Sequence, residues 1–330
     1  MSSSPALTNV RSAATPKTKP IHAPLPIVVL VRSAFDDPSR RVAVVGAGLA
    51  VGLLIAMFWP NVMHFVYVWS SDENYSHGFL VPLISLYFAN EAARLGPVAM
   101  RPGTLLGVAL LIASILGRLA TVVVPVGFVG DLSLLVGAAG ICTLLFGTAA
   151  LKRYGFAITF LVFMIPLPVA LYARIASPLQ LGVSQFATAM LNLSGIPALC
   201  EGNMITLPGD NKMFVAEACS GMRQLTGFLA LATAWAFLVK RSGWYRTVLI
   251  LGSIPIAMTA NVVRVTLTGM ITYHVDPRFA SGAYHTAEGL LMMGFGLAML
   301  YAGSWTLDRL TGVVCCPPAI PDSPSTTTGA

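Results

Sequence analysis

Residues 104–125 read TLLGVALLIASILGRLATVVVP, 22 residues whose only charge is Arg118. A helix of that length rises about 33 Å, enough to cross the roughly 30 Å hydrocarbon core of a bilayer. Working outward from it, comparable apolar runs lie at 42–61, 77–93, 132–151, 155–173, 220–239, 247–273 and 286–307. The run at 77–93 is short and holds Pro82, so it also suits a re-entrant segment. The pattern predicts an all-α polytopic membrane protein, a bundle of about eight transmembrane helices.

Composition agrees with the runs. Hydrophobic residues make up 56% of the 330 and charged residues 10%, with a mean hydropathy of +0.77. Soluble domains carry about 25% charged residues, so this chain lacks the side chains to face water throughout and the lipid bilayer is its solvent. The net charge of +7 does not signal nucleic acid, which is not expected as a partner, because the basic residues sit in short flanks between apolar runs. The five cysteines include no C-x-x-C pair, so neither a metal site nor a disulfide framework is expected, and no cofactor is implied.

The basic flanks orient the bundle. With a cytoplasmic N-terminus, fourteen of the 20 Lys and Arg fall in inner segments, while the outer ones hold only Arg174, Lys212 and Arg278. Arg118, Arg223 and Arg264 lie within spans. That positive-inside bias predicts that both termini are cytoplasmic. Residues 1–40 read as a basic, disordered cytoplasmic segment, 41–308 as the transmembrane catalytic domain, and 309–330 as a disordered cytoplasmic tail rich in Pro, Ser and Thr. The apolar patch at Leu25–Val31 is too short for a cleaved signal peptide.

Orientation assigns depths to the polar residues. Glu217-Ala218-Cys219-Ser220-Gly221-Met222-Arg223 closes the outer loop 174–218 and opens the sixth span, so Cys219 lies at the outer interface. Arg264 stands 17 residues beyond Thr247, about 25 Å along the seventh span and again near the outer face. His285 opens the eighth span from the same side. A thiol, a guanidinium and an imidazole at one depth are the parts of a cysteine acyl-transfer site, with Cys219 as nucleophile, His285 as general base and acid, and Arg264 or Arg223 stabilising the oxyanion. Glu217 could orient the histidine or an arginine.

Plainer readings stand beside each of these. Cys219 could be a small buried hydrophobe, as Cys142 is read to be, or could pair with Cys200 in a disulfide. An arginine within a span is costly and usually faces a wet cavity or a partner, and for Arg264 that partner could be Glu217 or Glu288. His285 is the favoured base among His64, His77 and His274. Trp69 to Gly78, WSSDENYSHG, gathers Asp72, Tyr75 and His77 in the first outer loop, where substrate docking is expected; Asp72 and His77 alone make a poor metal pair. In the loop 174–218, Leu179–Leu193 reads as an amphipathic surface helix, followed by turn-like GIP and EGN.

Four stretches carry a resemblance: Asp72–Pro82 (DENYSHGFLVP), Gly195–Pro208 (GIPALCEGNMITLP), Glu217–Arg223 (EACSGMR) and Asn261–Val265 (NVVRV) followed by His285. Together the chain resembles the exosortase/archaeosortase family of polytopic membrane cysteine transpeptidases. The resemblance implies a catalytic Cys, Arg and His at Cys219, Arg264 and His285, with Asn261 in support. It implies secreted protein substrates bearing a C-terminal sorting signal, namely a Pro-Glu-Pro-type motif, a transmembrane helix and a basic tail. Cleavage would occur at the periplasmic face of a bacterial inner membrane, in a setting linked to exopolysaccharide assembly. The rival classes are a transporter, which should show a polar path through the bilayer, and a non-catalytic exopolysaccharide-assembly component, for which Cys219 would be dispensable. No H-E-x-x-H is present for a metalloprotease.

Overall fold

A computed structural model describes residues 38–96, 103–124, 127–209, 211–215, 221–239, 241–275 and 283–311. Within them the chain is a helical bundle with one small sheet. The helices are α1 (Pro38–Met57), α2 (Trp59–Ser71), α3 (Leu80–Ala93), α4 (Thr104–Val123), α5 (Gly127–Phe146), α6 (Thr148–Phe160), α7 (Val169–Leu193), α8 (Gly221–Leu238), α9 (Gly243–His274) and α10 (Ala283–Thr311). Short 3₁₀ turns at Glu73–Phe79 and Leu161–Met164 join α2 to α3 and extend α6.

Among the described residues α4, α5 and α9 are each long and apolar enough to cross a bilayer. The number rises to five when each of two bent pairs is taken as one span: Val44–Met57 with Trp59–Ser71, bent by 70°, and Thr148–Met164 with Val169–Leu193, bent by 81°. Proline explains both bends. Pro60 sits in the first turn of α2 and has no N–H to continue the ladder of α1. Pro166 and Pro168 bracket Leu167, and a residue before proline avoids the helical region, so α6 stops and α7 starts afresh after Pro168.

These breaks move boundaries drawn from the apolar runs. The run at 132–151 divides at Gly147, whose φ of 90° ends α5 and begins α6. The run at 155–173 divides at the two prolines. Residues 174–218, expected as a loop with a surface helix from Leu179, instead begin inside α7, and that helix buries Ala176, Val183, Ser184, Ala187, Thr188 and Leu191.

The expected all-α architecture has one exception. Strands β1 (Leu199–Glu201), β2 (Met204–Leu207) and β3 (Asn211–Phe214) form an antiparallel sheet in that order, with Leu199 opposite Thr206 and Thr206 opposite Lys212. Gly202 and Gly209, at φ 64° and 82°, supply the left-handed turn residues. Alternate residues Ile205, Leu207, Met213 and Val215 point inward and pack with Val183, Leu191, Ile196 and Val265. The sheet is therefore pinned to α7 and α9.

Close approach builds the rest of the bundle. A Cβ on Gly107 of α4 would come within 2.7 Å of the Leu144 backbone on α5, and one on Gly140 within 3.0 Å of Leu111. Small residues let these two helices touch along their backbones, the usual device inside membranes. The Ser114 hydroxyl donates to the Ser133 carbonyl at 2.7 Å, and the Asn61 amide donates to the buried Asp131 carboxylate at 2.8 Å.

Candidate functional site

Helix α9 carries a buried stripe at helical spacing: Ala257, Ala260, Asn261, Arg264, Val265 and Thr268. Asn261 is 2% exposed and Arg264 6%, so both polar side chains lie inside the bundle. The Thr268 hydroxyl donates to the Arg264 carbonyl at 3.0 Å, and Val265 is fully enclosed by the sheet and α7. A guanidinium held in so low a dielectric stabilises negative charge far more than it would in water.

The register of α10 against α9 is set at their far ends. The Tyr245 hydroxyl bonds the Ser304 carbonyl at 3.1 Å and its hydroxyl at 3.0 Å, and Arg241 pairs with Asp308 at 3.1 Å. Leu249 and Leu300 meet one turn further in. The helices are therefore antiparallel. Counting 19 residues along each from the Tyr245–Ser304 bond reaches 264 on α9 and 285 on α10, about 28 Å away. On that count, with both helices straight and their axes parallel, position 285 falls at the level of Arg264. The His285 side chain lies outside the described residues.

On the other flank α8 packs along α9 through Leu225, Phe228, Ala257 and Ala260. Glu217 and Cys219 fall outside the described residues, as does the Arg223 side chain, although its backbone is in the first turn of α8. The described flanks of 216–220 both rest on α9: Val215 packs with Val265, and Leu225 with Ala257 and Ala260. Cys200 is a free thiol whose Sγ–H donates to the Gly202 carbonyl at 3.2 Å, so this structure shows no Cys200–Cys219 disulfide.

Asp72, Tyr75 and His77 gather in a separate knot. Asp72 caps the 73–79 turn, its carboxylate accepting from the Asn74 N–H at 2.9 Å and amide at 2.8 Å. The Tyr75 hydroxyl accepts from the Leu167 N–H at 3.1 Å, at the proline break between α6 and α7. The His77 ring stacks on Tyr75 at 6.5 Å, with the backbone at Phe163 and Asn74 beside it. Burial pushes the Tyr75 hydroxyl above its ordinary pKa and the His77 imidazole below its own; the backbone at Phe163 and Asn74 only partly offsets this for His77. The Trp69 indole lies where a side chain on Gly78 would be and donates to the Met164 carbonyl at 2.9 Å. The turn packs against α8, so the knot braces the helix that follows 216–220.

The family profile of transmembrane exosortases matches residues 69–302, from Trp69 at the end of α2 to Ala302 in α10. The chain belongs to the transmembrane exosortase family. Exosortases are membrane transpeptidases that process sorting signals. The match takes in the 73–79 knot, the sheet, and all of α8 and α9, while α1 and most of α2 precede it. No curated protein and no solved structure matches the chain.

Two features of this region were not read from the sequence. Gln180 of α7 faces Asn261 across a small cavity, and the one polar residue in the run Ala176, Leu179, Gln180, Val183 was the available signal. The Tyr75–Leu167 bond joins residues 92 apart in the chain, and nothing local announces it.

Proposed function

We propose that this exosortase is a cysteine protease and transpeptidase that cleaves the C-terminal sorting signals of secreted proteins. His285 takes the Cys219 thiol proton, and the thiolate attacks the scissile carbonyl. Arg264 or Arg223 stabilises the oxyanion. The C–N bond breaks as the leaving amine takes the proton from His285, leaving a thioester on Cys219. A second amine, or water, then attacks the thioester, releases the product and returns the thiol. Glu217 orients the charged partners, and the knot of Asp72, Tyr75 and His77 docks substrate.

One observation supports this reading above the others: Arg264 is buried on α9, and both flanks of 216–220 rest on that same helix. Membership of the exosortase family supplies the reaction class. The reading extends to eight crossings with cytoplasmic termini, an active site on the periplasmic face of an inner membrane, Pro-Glu-Pro-type signals, and a setting beside exopolysaccharide assembly.

A secreted reporter carrying such a signal tests it in cells. Wild type is expected to shorten the reporter, while Cys219→Ala leaves it full length at equal membrane abundance. Equal processing by both would remove the thiol from the mechanism and return the chain to the transporter or assembly readings.

A further inference from the structure

Helices α7, α8 and α9 line a small cavity that the proposed chemistry does not use. Its walls are apolar, with Val183, Leu225, Ala257 and Met258 among them, except for the amides of Gln180 and Asn261. The free volume is about 10 Å³, roughly the room that one water needs. Asn261 is 2% exposed, and neither its amide oxygen nor its amide nitrogen has a hydrogen-bond partner among the described residues. The two amides share this space without a direct bond between them.

An amide buried in that state destabilises a fold, because it loses its hydrogen bonds to bulk water and gains none in return. Cavities that stay dry are apolar throughout, and this one is not. A buried water needs two to four polar partners. Each of the two amides offers both a donor and an acceptor, so the requirement is met by side chains on opposite helices. We propose that the cavity is the binding site of one ordered water, which bonds the Asn261 amide on one side and the Gln180 amide on the other. The bridge joins the two helices on which the sheet rests, since Val183 and Leu191 of α7 and Val265 of α9 pack in one cluster with it. It does not depend on the chemistry proposed above.

An experimental map of the full-length protein, at a resolution that shows ordered waters, is the direct test. A density peak within about 2.7–3.2 Å of a polar atom of each amide is expected. Well-resolved side chains with no peak between them overturn the proposal.

A double-mutant cycle reads the same bridge in solution. Gln180→Leu leaves the water and Asn261 short of a partner, so the melting temperature in detergent should fall by at least about 2 °C. Asn261→Leu keeps the branching of the side chain, suits the apolar walls and displaces the water. In that background Gln180→Leu should shift the midpoint by less than half as much. No fall in the wild-type background, or one that persists at half or more of its size in the Asn261→Leu background, overturns the bridge. Asn261→Met takes the place of Asn261→Leu if the latter does not fold, and if neither folds the wild-type map decides.

Discussion

Tyr75 and His77 show how single residues in the 73–79 turn connect distant parts of the chain. Tyr75→Phe removes the acceptor for the partly buried Leu167 N–H. The expected loss is about 1–2 kcal/mol of stability, read as a lower midpoint of thermal inactivation in detergent. His77 is held neutral by burial, with its pKa below the ordinary 6.5. Because the folded value is the lower one, the associated stability is fully present above pH 6.5 and is lost as pH falls from there toward the folded pKa. Thermal stability should thus decline below pH 6.5, and His77→Gln should flatten that part of the profile; an unchanged profile would remove His77 as its source. The resemblance singled out this stretch from the residues DENYSHGFLVP alone. What Tyr75 bonds was not legible, because Leu167 lies 92 residues away.

Between elements, the α4–α5 hairpin depends on backbone contact that only glycine permits. Gly107→Ala places a methyl 2.7 Å from the Leu144 backbone, which cannot yield as a side-chain tip could. About 2–3 kcal/mol of destabilisation is expected as the helices are forced apart. Gly46→Ala on α1 is the control: nothing lies within 4 Å of the new methyl, and helix propensity favours alanine. A Gly107→Ala protein as stable as the control would show that these helices do not touch in the membrane. The apolar runs revealed the helices, since length and composition are local properties. Their ends shifted where Gly147, Pro166 and Pro168 acted. The sheet went unread because strands of three and four residues carry too few alternations to be seen as a pattern.

Across the whole molecule, the ends of α9 and α10 are set apart by their roles. At one end Arg241, Tyr245, Ser304 and Asp308 lock the register, and toward the other Arg264 is buried on α9. Asp308→Asn weakens the lock without touching the proposed site, and its carboxylate is only partly shielded, so a cost of at most about 1 kcal/mol is expected, with the reporter still processed. Orientation is open to a direct check on a cysteine-free background. Leu199→Cys, on the exposed face of β1, should react with a membrane-impermeant maleimide added outside, and Arg94→Cys only after permeabilisation. Labelling of both from outside would overturn the proposed topology.

The sequence alone determined the membrane solvent, the helical class and the family resemblance, because hydropathy, charge distribution and short motifs are carried by neighbours along the chain. It also set Arg264 and Asn261 on one helical face, since a spacing of three is enough for that. The tertiary structure alone decided that the sheet packs against α9 at Val265 and that Asn261 is buried without a described partner. Each of these depends on contacts between residues far apart in sequence, and only the packing of one helix against another selects among the registers that local pattern leaves open.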